Sequence, residues 1–129
     1  MKAEEMEELY REVRPWGQFV QFPTESAVNL KEITVNPGQR LSLQSHKLRD
    51  ELWIFPDNGL AVEVVSPDGL QTFTSLNPEI RNPATLFILR GWKHRLINNS
   101  EKPISMIEIA YGKFLEDDIE RFDDDYGRV

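Results

Sequence analysis

The sequence contains no cysteine. That excludes a disulfide framework, a thiolate nucleophile and any cysteine-ligated zinc site, and it fits a reducing compartment. No stretch approaches the roughly 20 consecutive apolar residues of a membrane-spanning helix. Residues 1–11 are charged and lack the apolar centre of a secretory signal, so a cytoplasmic location and no membrane partner are expected. Basic residues are outnumbered, with 15 Lys and Arg against 22 Asp and Glu and a net charge of -7. They form no cluster, which argues against a nucleic-acid partner, because phosphate backbones are bound by grouped Lys and Arg. A small anionic ligand stays within reach, since a few basic residues in a pocket hold one phosphate. Histidine is limited to two residues, His46 and His94.

The 129 residues, 40% hydrophobic, suit a single domain with its own core. Met6, Leu9, Tyr10 and Val13 recur at helical spacing and predict an amphipathic helix over Lys2–Val13, ended by Pro15. From Gly17 the pattern changes to short extended runs. Strands are predicted at Gly17–Phe22, Val28–Val35, Arg40–His46, Glu51–Phe55, Leu60–Val65, Leu70–Ser75, Leu86–Leu89, His94–Asn98 and Ile104–Tyr111. Turn residues separate them, as in Asn36-Pro37-Gly38, Pro56-Asp57-Asn58-Gly59 and Pro67-Asp68-Gly69. Such spacing without intervening helices indicates an antiparallel sandwich or barrel. The tail from Lys113 is acidic, and Leu115, Ile119 and Phe122 are spaced for a short helical turn.

Two runs carry chemistry. In the first, Gly38 is followed by Gln44, His46 and Glu51. In the second, Gly91 is followed by His94 and Asn98. The spacings match the two cupin signatures, with Gln44 where the first signature usually has histidine. The expected fold is therefore all-β: a cupin, the jelly-roll-like double-stranded β-helix barrel. Its single domain spans 1–129, with a short N-terminal helix (1–13), a barrel (17–111) and an acidic C-terminal segment (112–129). Side chains two apart on a strand share a face, so Gln44 and His46 project together, with Glu51 on the next strand and His94 closing the set. One amide oxygen, two imidazoles and a carboxylate suit one borderline divalent ion: zinc first, with manganese, iron or cobalt as alternatives.

Longer blocks narrow the family. Arg14-Pro15-Trp16-Gly17, the run from Pro37 to His46, Arg49-Asp50-Glu51-Leu52-Trp53, Lys93-His94-Arg95-Leu96-Ile97-Asn98 and the run from Glu116 to Arg128 closely resemble the type II mannose-6-phosphate isomerase domain. That domain usually follows a mannose-1-phosphate guanylyltransferase in a bifunctional enzyme. The resemblance implies metal-dependent interconversion of mannose 6-phosphate and fructose 6-phosphate through an enediolate. It also makes Gln44 a family mark in the ligand set Gln44, His46, Glu51 and His94. The chain differs at Lys47-Leu48, Phe55–Gly59 and Gly91-Trp92.

An isomerase needs a proton shuttle and cations for the phosphate. Arg40 and Ser42 share strand parity with Gln44 and are candidate substrate contacts; a surface position for Arg40 is the alternative. Arg95, which resembles a catalytic arginine of the family, and Lys93 flank His94 and are catalytic candidates, although strict alternation points Arg95 away from it. Glu108 sits among apolar neighbours and is either a base of raised pKa or a buried partner for a cation. Leu41, Leu43, Leu52 and Ile54 form an apolar outer face, which suggests a homodimer. Competing readings are a metal cupin with other sugar chemistry (epimerase, lyase or oxygenase) and a non-catalytic sugar-binding module.

Overall fold

The computed structural model of the chain describes residues 9–22, 27–75, 84–113, 115 and 117–129. These residues form eleven strands and no helix: β1 (Tyr10–Arg14), β2 (Gly17–Phe22), β3 (Val28–Val35), β4 (Leu43–Ser45), β5 (Arg49–Phe55), β6 (Leu60–Val65), β7 (Thr72–Ser75), β8 (Ala84–Ile88), β9 (Lys93–Asn98), β10 (Ile104–Gly112) and β11 (Glu120–Asp123). No helix long and apolar enough to cross a membrane occurs among the described residues. One sheet has the order β1-β2-β3-β10-β5-β8, the other β11-β4-β9-β6-β7. Every pairing is antiparallel. This is the all-β cupin fold expected from the turn-punctuated strands and the paired signatures.

Alternation builds the barrel. On β5, Arg49, Glu51, Trp53 and Phe55 are buried while Asp50, Leu52 and Ile54 are half-buried. On β10, Ile104, Met106, Glu108 and Ala110 take the inner face. The two inner faces share one core, with Ile33, Val35, Trp53 and Met106 from the first sheet against Leu60, Val62, Val64 and Leu96 from the second. Burying each such side chain contributes about 1.5–3 kcal/mol. Asn98 closes the barrel end. Its amide donates to the carbonyls of Val35 (2.8 Å) and Lys102 (2.9 Å), and its oxygen accepts from the Ser100 hydroxyl (2.6 Å). The asparagine of the second signature thus ties two loops together.

Three expectations are corrected. Residues 1–8 of the predicted helix lie outside the described residues, but Tyr10–Arg14 is a strand. It pairs with β2 through the two-residue turn Pro15-Trp16. Pro15 presets the turn, and pairing with the edge of β2 overrides the local helical period. Val13, assigned to the buried face of that helix, is 79% exposed. Second, the strand predicted at Arg40–His46 shrinks to Leu43–Ser45, leaving Arg40 as an isolated bridge to Ile97. Parity therefore does not extend back to Leu41, which is buried in the core. Third, the predicted helical turn in the tail is one bend, from the Asp118 N–H to the Leu115 carbonyl (3.0 Å), leading into β11.

Leu96 is fully buried at the centre of the core. Leu96→Ala is expected to destabilise the fold by about 2–5 kcal/mol through lost transfer energy and the remaining cavity. Urea unfolding of the two proteins measures it.

Candidate metal centre

Gln44 of β4 stands directly opposite His94 of β9, so their side chains share a face. The chain turns just after β4 and brings in His46, while Glu51 enters from β5 of the other sheet. His46, Glu51 and His94 are 3%, 1% and 2% exposed, and one ligand atom from each lies within 4.8 Å of the others. Ser42 donates to the Gln44 amide oxygen at 2.8 Å. Gln44 lines a cavity that adjoins the cluster.

The hydrogen bonds set the tautomers. His46 Nδ1 lies 2.6 Å from the Asp118 carbonyl, and His94 Nδ1 lies 3.0 Å from the Trp92 carbonyl. A carbonyl only accepts, so each Nδ1 carries its proton and each Nε2 presents a lone pair. Burial pushes His46 down to about pKa 4, against the opposing pull of Glu51. His94 is lowered for the same reason. Both rings are therefore neutral at pH 7. Their Nε2 atoms, 3.5 and 3.4 Å from the Glu51 oxygens, face it as lone pairs against a carboxylate and not as ion pairs. His94 Nε2 has no hydrogen-bond partner among the described residues. Such an orphaned buried group costs about 1–3 kcal/mol. Electron pairs converging on one dry point fit a divalent cation, with the Nδ1 bonds to carbonyls as supports for the ligating rings.

Glu51 keeps its charge in spite of burial. Burial opposes ionisation; Arg49, by its charge and its hydrogen bond, favours it, and His94 and His46 would add to that only in their protonated forms. Arg49 Nε donates to one oxygen at 3.0 Å and Trp53 Nε1 to the other at 3.1 Å. Arg49 also reaches His46 Nε2 at 3.2 Å, which puts positive charge at the rim of the cluster. The His46–Arg49 turn is held from outside: the Asp118 carboxylate accepts from the N–H groups of Lys47 (2.9 Å) and Leu48 (3.0 Å). Gly91, at φ +84, donates its N–H to the His46 carbonyl at 2.8 Å. That left-handed conformation favours glycine and couples the second signature to the first.

The adjoining cavity has a volume of about 450 Å³. Glu108 lines it beside Lys31, its register partner on β3. Burial raises the Glu108 carboxyl to about pKa 7, with Glu51 adding to the rise and Lys31 and Arg49 opposing it.

The remaining predicted residues lie elsewhere. Arg40 is bound through two nitrogens to Asp125 (2.7 and 2.8 Å) and does not line the cavity. Its inward position rested on a strand that does not extend to it. Lys93 and Arg95 alternate with His94 on β9 and take the opposite face. Arg95 donates to the carbonyl and carboxylate of Asp123, and the Lys93 ammonium sits 4.1 Å from the Phe122 ring centroid. Sequence reasoning missed Arg49, although its spacing of two from Glu51 is the signal that aligns them. It also missed Asp118 and Arg121, for which the acidic tail offered no signal.

Comparison with known proteins gives a consistent picture. Residues 2–124 match the family described as mannose-6-phosphate isomerase C-terminal. The xanthan biosynthesis protein XanB of Xanthomonas campestris is 40% identical over 117 residues, which is 90% of this chain and 23% of that protein. The mannose-1-phosphate guanylyltransferase ManC of Salmonella typhimurium is 35% identical over 94% of this chain and 24% of its own length. The chain thus spans about a quarter of these relatives. Among solved structures, the capsular polysaccharide assembling protein CapF of Staphylococcus aureus aligns with TM-score 0.77 at 14% identity, covering 89% of this chain and 32% of that one. The oxalate decarboxylase of Lactobacillus farciminis aligns with TM-score 0.72 at 17% identity, covering 91% and 34%. These structural likenesses bear on the fold alone.

Elemental analysis of the wild type is expected to find about one divalent ion per chain, and His46→Ala and His94→Ala are each expected to lose it; full retention in both rules the ligand set out. In metal-free protein, the depressed pKa of His46 contributes stability that is complete above pH 6.5 and lost as pH falls toward 4. Glu108, raised from 4.5 to about 7, acts in the opposite sense over an overlapping range. The readout is therefore the difference between wild type and His46→Gln. The variant's unfolding free energy should fall less on acidification through that window.

Proposed function

The chain belongs to the mannose-6-phosphate isomerase C-terminal family, and on that premise we propose that it is a metal-dependent sugar-phosphate isomerase interconverting mannose 6-phosphate and fructose 6-phosphate. One observation carries the reading within this chain: a buried carboxylate near pKa 7, Glu108, lines the same cavity as Gln44 of the ligand cluster.

Gln44, His46, Glu51 and His94 are the ligands, and zinc is the first choice of ion, ahead of manganese, iron and cobalt. The bound ion supplies Lewis acidity toward the carbonyl oxygen and adjacent hydroxyl of the open-chain sugar. Glu108 takes the proton from C2 of the aldose and returns it to C1, while the hydroxyl proton passes from O2 to O1. The product is the ketose, and atoms and charge balance. A carboxyl near pKa 7 is about half ionised at neutral pH, which suits a group that must both accept and donate. Lys31 beside it favours the ionised form. Ser42 positions the Gln44 amide, and Arg49 keeps Glu51 charged. Arg40, Lys93 and Arg95 act at a distance, by anchoring the C-terminal segment whose Asp118 carbonyl orients His46.

Two coarser features follow from the same reading. A sugar-phosphate substrate is charged and does not cross membranes unaided, which suits a cytoplasmic enzyme. The outer face of the first sheet carries Leu30, Leu52, Ile54, Ile107 and Ile109, all half-buried, beside Phe87 at 62% exposure. A second copy of the chain in a homodimer covers such a face.

A coupled assay tests the reaction. Metal-loaded protein should convert mannose 6-phosphate to fructose 6-phosphate, with kcat/KM rising with pH as Glu108 ionises. Glu108→Gln should lower kcat by about 10²–10⁴-fold while metal content stays at the wild-type level. No conversion by metal-loaded wild type rejects the isomerase in favour of other cupin chemistry or a binding module.

A further inference from the structure

The cavity beside the ligand cluster is cationic in a chain of net charge -7. Arg14, Lys31, Arg49, Arg121 and Arg128 line it against Glu108 and Asp117. Most of these cations have a carboxylate of their own. Arg14 pairs with Glu12 at 3.1 Å, Arg49 with Glu51 at 3.0 Å, and Arg128 with both oxygens of Asp124 at 2.9 Å. Arg121 differs: its Nε is buried and has no hydrogen-bond partner among the described residues. Burial, then Arg128 and Arg14 as like charges, push its guanidinium below the ordinary value, with Asp124 opposing. A guanidinium crowded by two others and short of an acceptor is an arrangement that an anion completes.

Register places this group relative to the chemistry. On the second sheet Arg121 stands opposite Gln44, and Gln44 stands opposite His94. Residues paired across strands share a face, so the row Arg121, Gln44, His94 runs along the inner wall. Its ends are two strand spacings apart, about 9.5 Å. An open-chain hexose 6-phosphate has the matching shape, with its reacting C1–C2 end and its phosphate at opposite ends of the molecule. The Phe19 ring supports the floor, with Lys31 at 4.4 Å and Arg14 at 5.7 Å from its centroid.

We infer that Arg121, flanked by Arg14 and Arg128, is the seat of the substrate's phosphate group. The identity of the sugar rests on the isomerase reading; the phosphate seat does not, so inorganic phosphate serves as an independent probe.

Calorimetric titration of metal-loaded protein with inorganic phosphate reads the seat directly. Arg121→Gln should weaken binding by about ten- to hundredfold, the scale of a lost charge-assisted contact. Arg121→Lys should fall between the two, keeping the charge without the fork. Arg11→Gln, an exposed change of equal charge on β1, should bind as wild type. Turnover of mannose 6-phosphate should show a raised KM in Arg121→Gln at unchanged metal content. If Arg121→Gln loses its far-ultraviolet strand signal, Arg14→Gln carries the same comparison. Phosphate binding that disappears in Arg121→Gln supports the seat even if the wild type shows no isomerase turnover. Equal phosphate affinity and KM in wild type and Arg121→Gln overturn it even if the wild type is an active isomerase.

Discussion

The Glu51 carboxylate is the charge around which the rest is arranged. It is almost wholly buried, and an unpaired carboxylate in that position would cost several kcal/mol in lost hydration. It is ionised because Arg49 and Trp53, from its own strand, donate to its two oxygens. Both imidazoles turn Nε2 toward it, His46 from the turn after β4 and His94 from β9 of the opposite sheet. The groups gathered at one charge therefore join the two sheets. Trp53 belongs equally to the hydrophobic core, with its ring edge-on to Phe55 and to His94. Core packing and ligand geometry share that residue, so neither adjusts without the other.

The neutral rings follow from the same burial. Protonating His46 or His94 would put a second charge into a space that already holds the Arg49 guanidinium. Burial opposes it and outweighs Glu51 and the carbonyls of Asp118 and Trp92, which favour it. Both rings consequently keep Nε2 available as a lone pair and spend their Nδ1 protons on backbone carbonyls. The Asp118 carbonyl that takes the His46 proton comes from the C-terminal segment. A tail that looks peripheral in the chain is therefore part of the ligand support.

What was legible in the sequence divides along physical lines. The barrel strands were readable because a strand imposes a period of two regardless of tertiary context, and the grouping of His46, Glu51 and His94 was readable from the spacing of the two signatures. Where regular pairing stopped, parity failed. Arg40 was aligned with Gln44 on a strand that begins only at Leu43, and Leu41 was turned outward for the same reason. Tyr10–Arg14 read as helix because its apolar spacing permits either state, and only the edge of β2 decides. The tail was illegible for a different reason. Two of its aspartates meet partners seventy or more positions away, as Asp118 meets Lys47 and Leu48 and Asp125 meets Arg40. An acidic run with only Arg121 and Arg128 among it carries the same composition as a solvated end.

Those distant pairings also account for how an acidic chain comes to hold a cationic cavity. Asp123 and Asp125 are spent on Arg40 and Arg95 outside the barrel. Asp124 is spent on Arg128 at the rim. The tail thus neutralises cations of the outer face and the rim, while the inner wall keeps Arg121 without a carboxylate of its own among the described residues. Net charge would predict repulsion of an anionic ligand, but exposed charges are screened beyond about 8 Å at physiological salt. Inside the cavity screening is weaker and the nearest charges dominate. The sign that an entering anion meets is therefore set by which acids the fold has already paired, and the sum over the sequence does not report it.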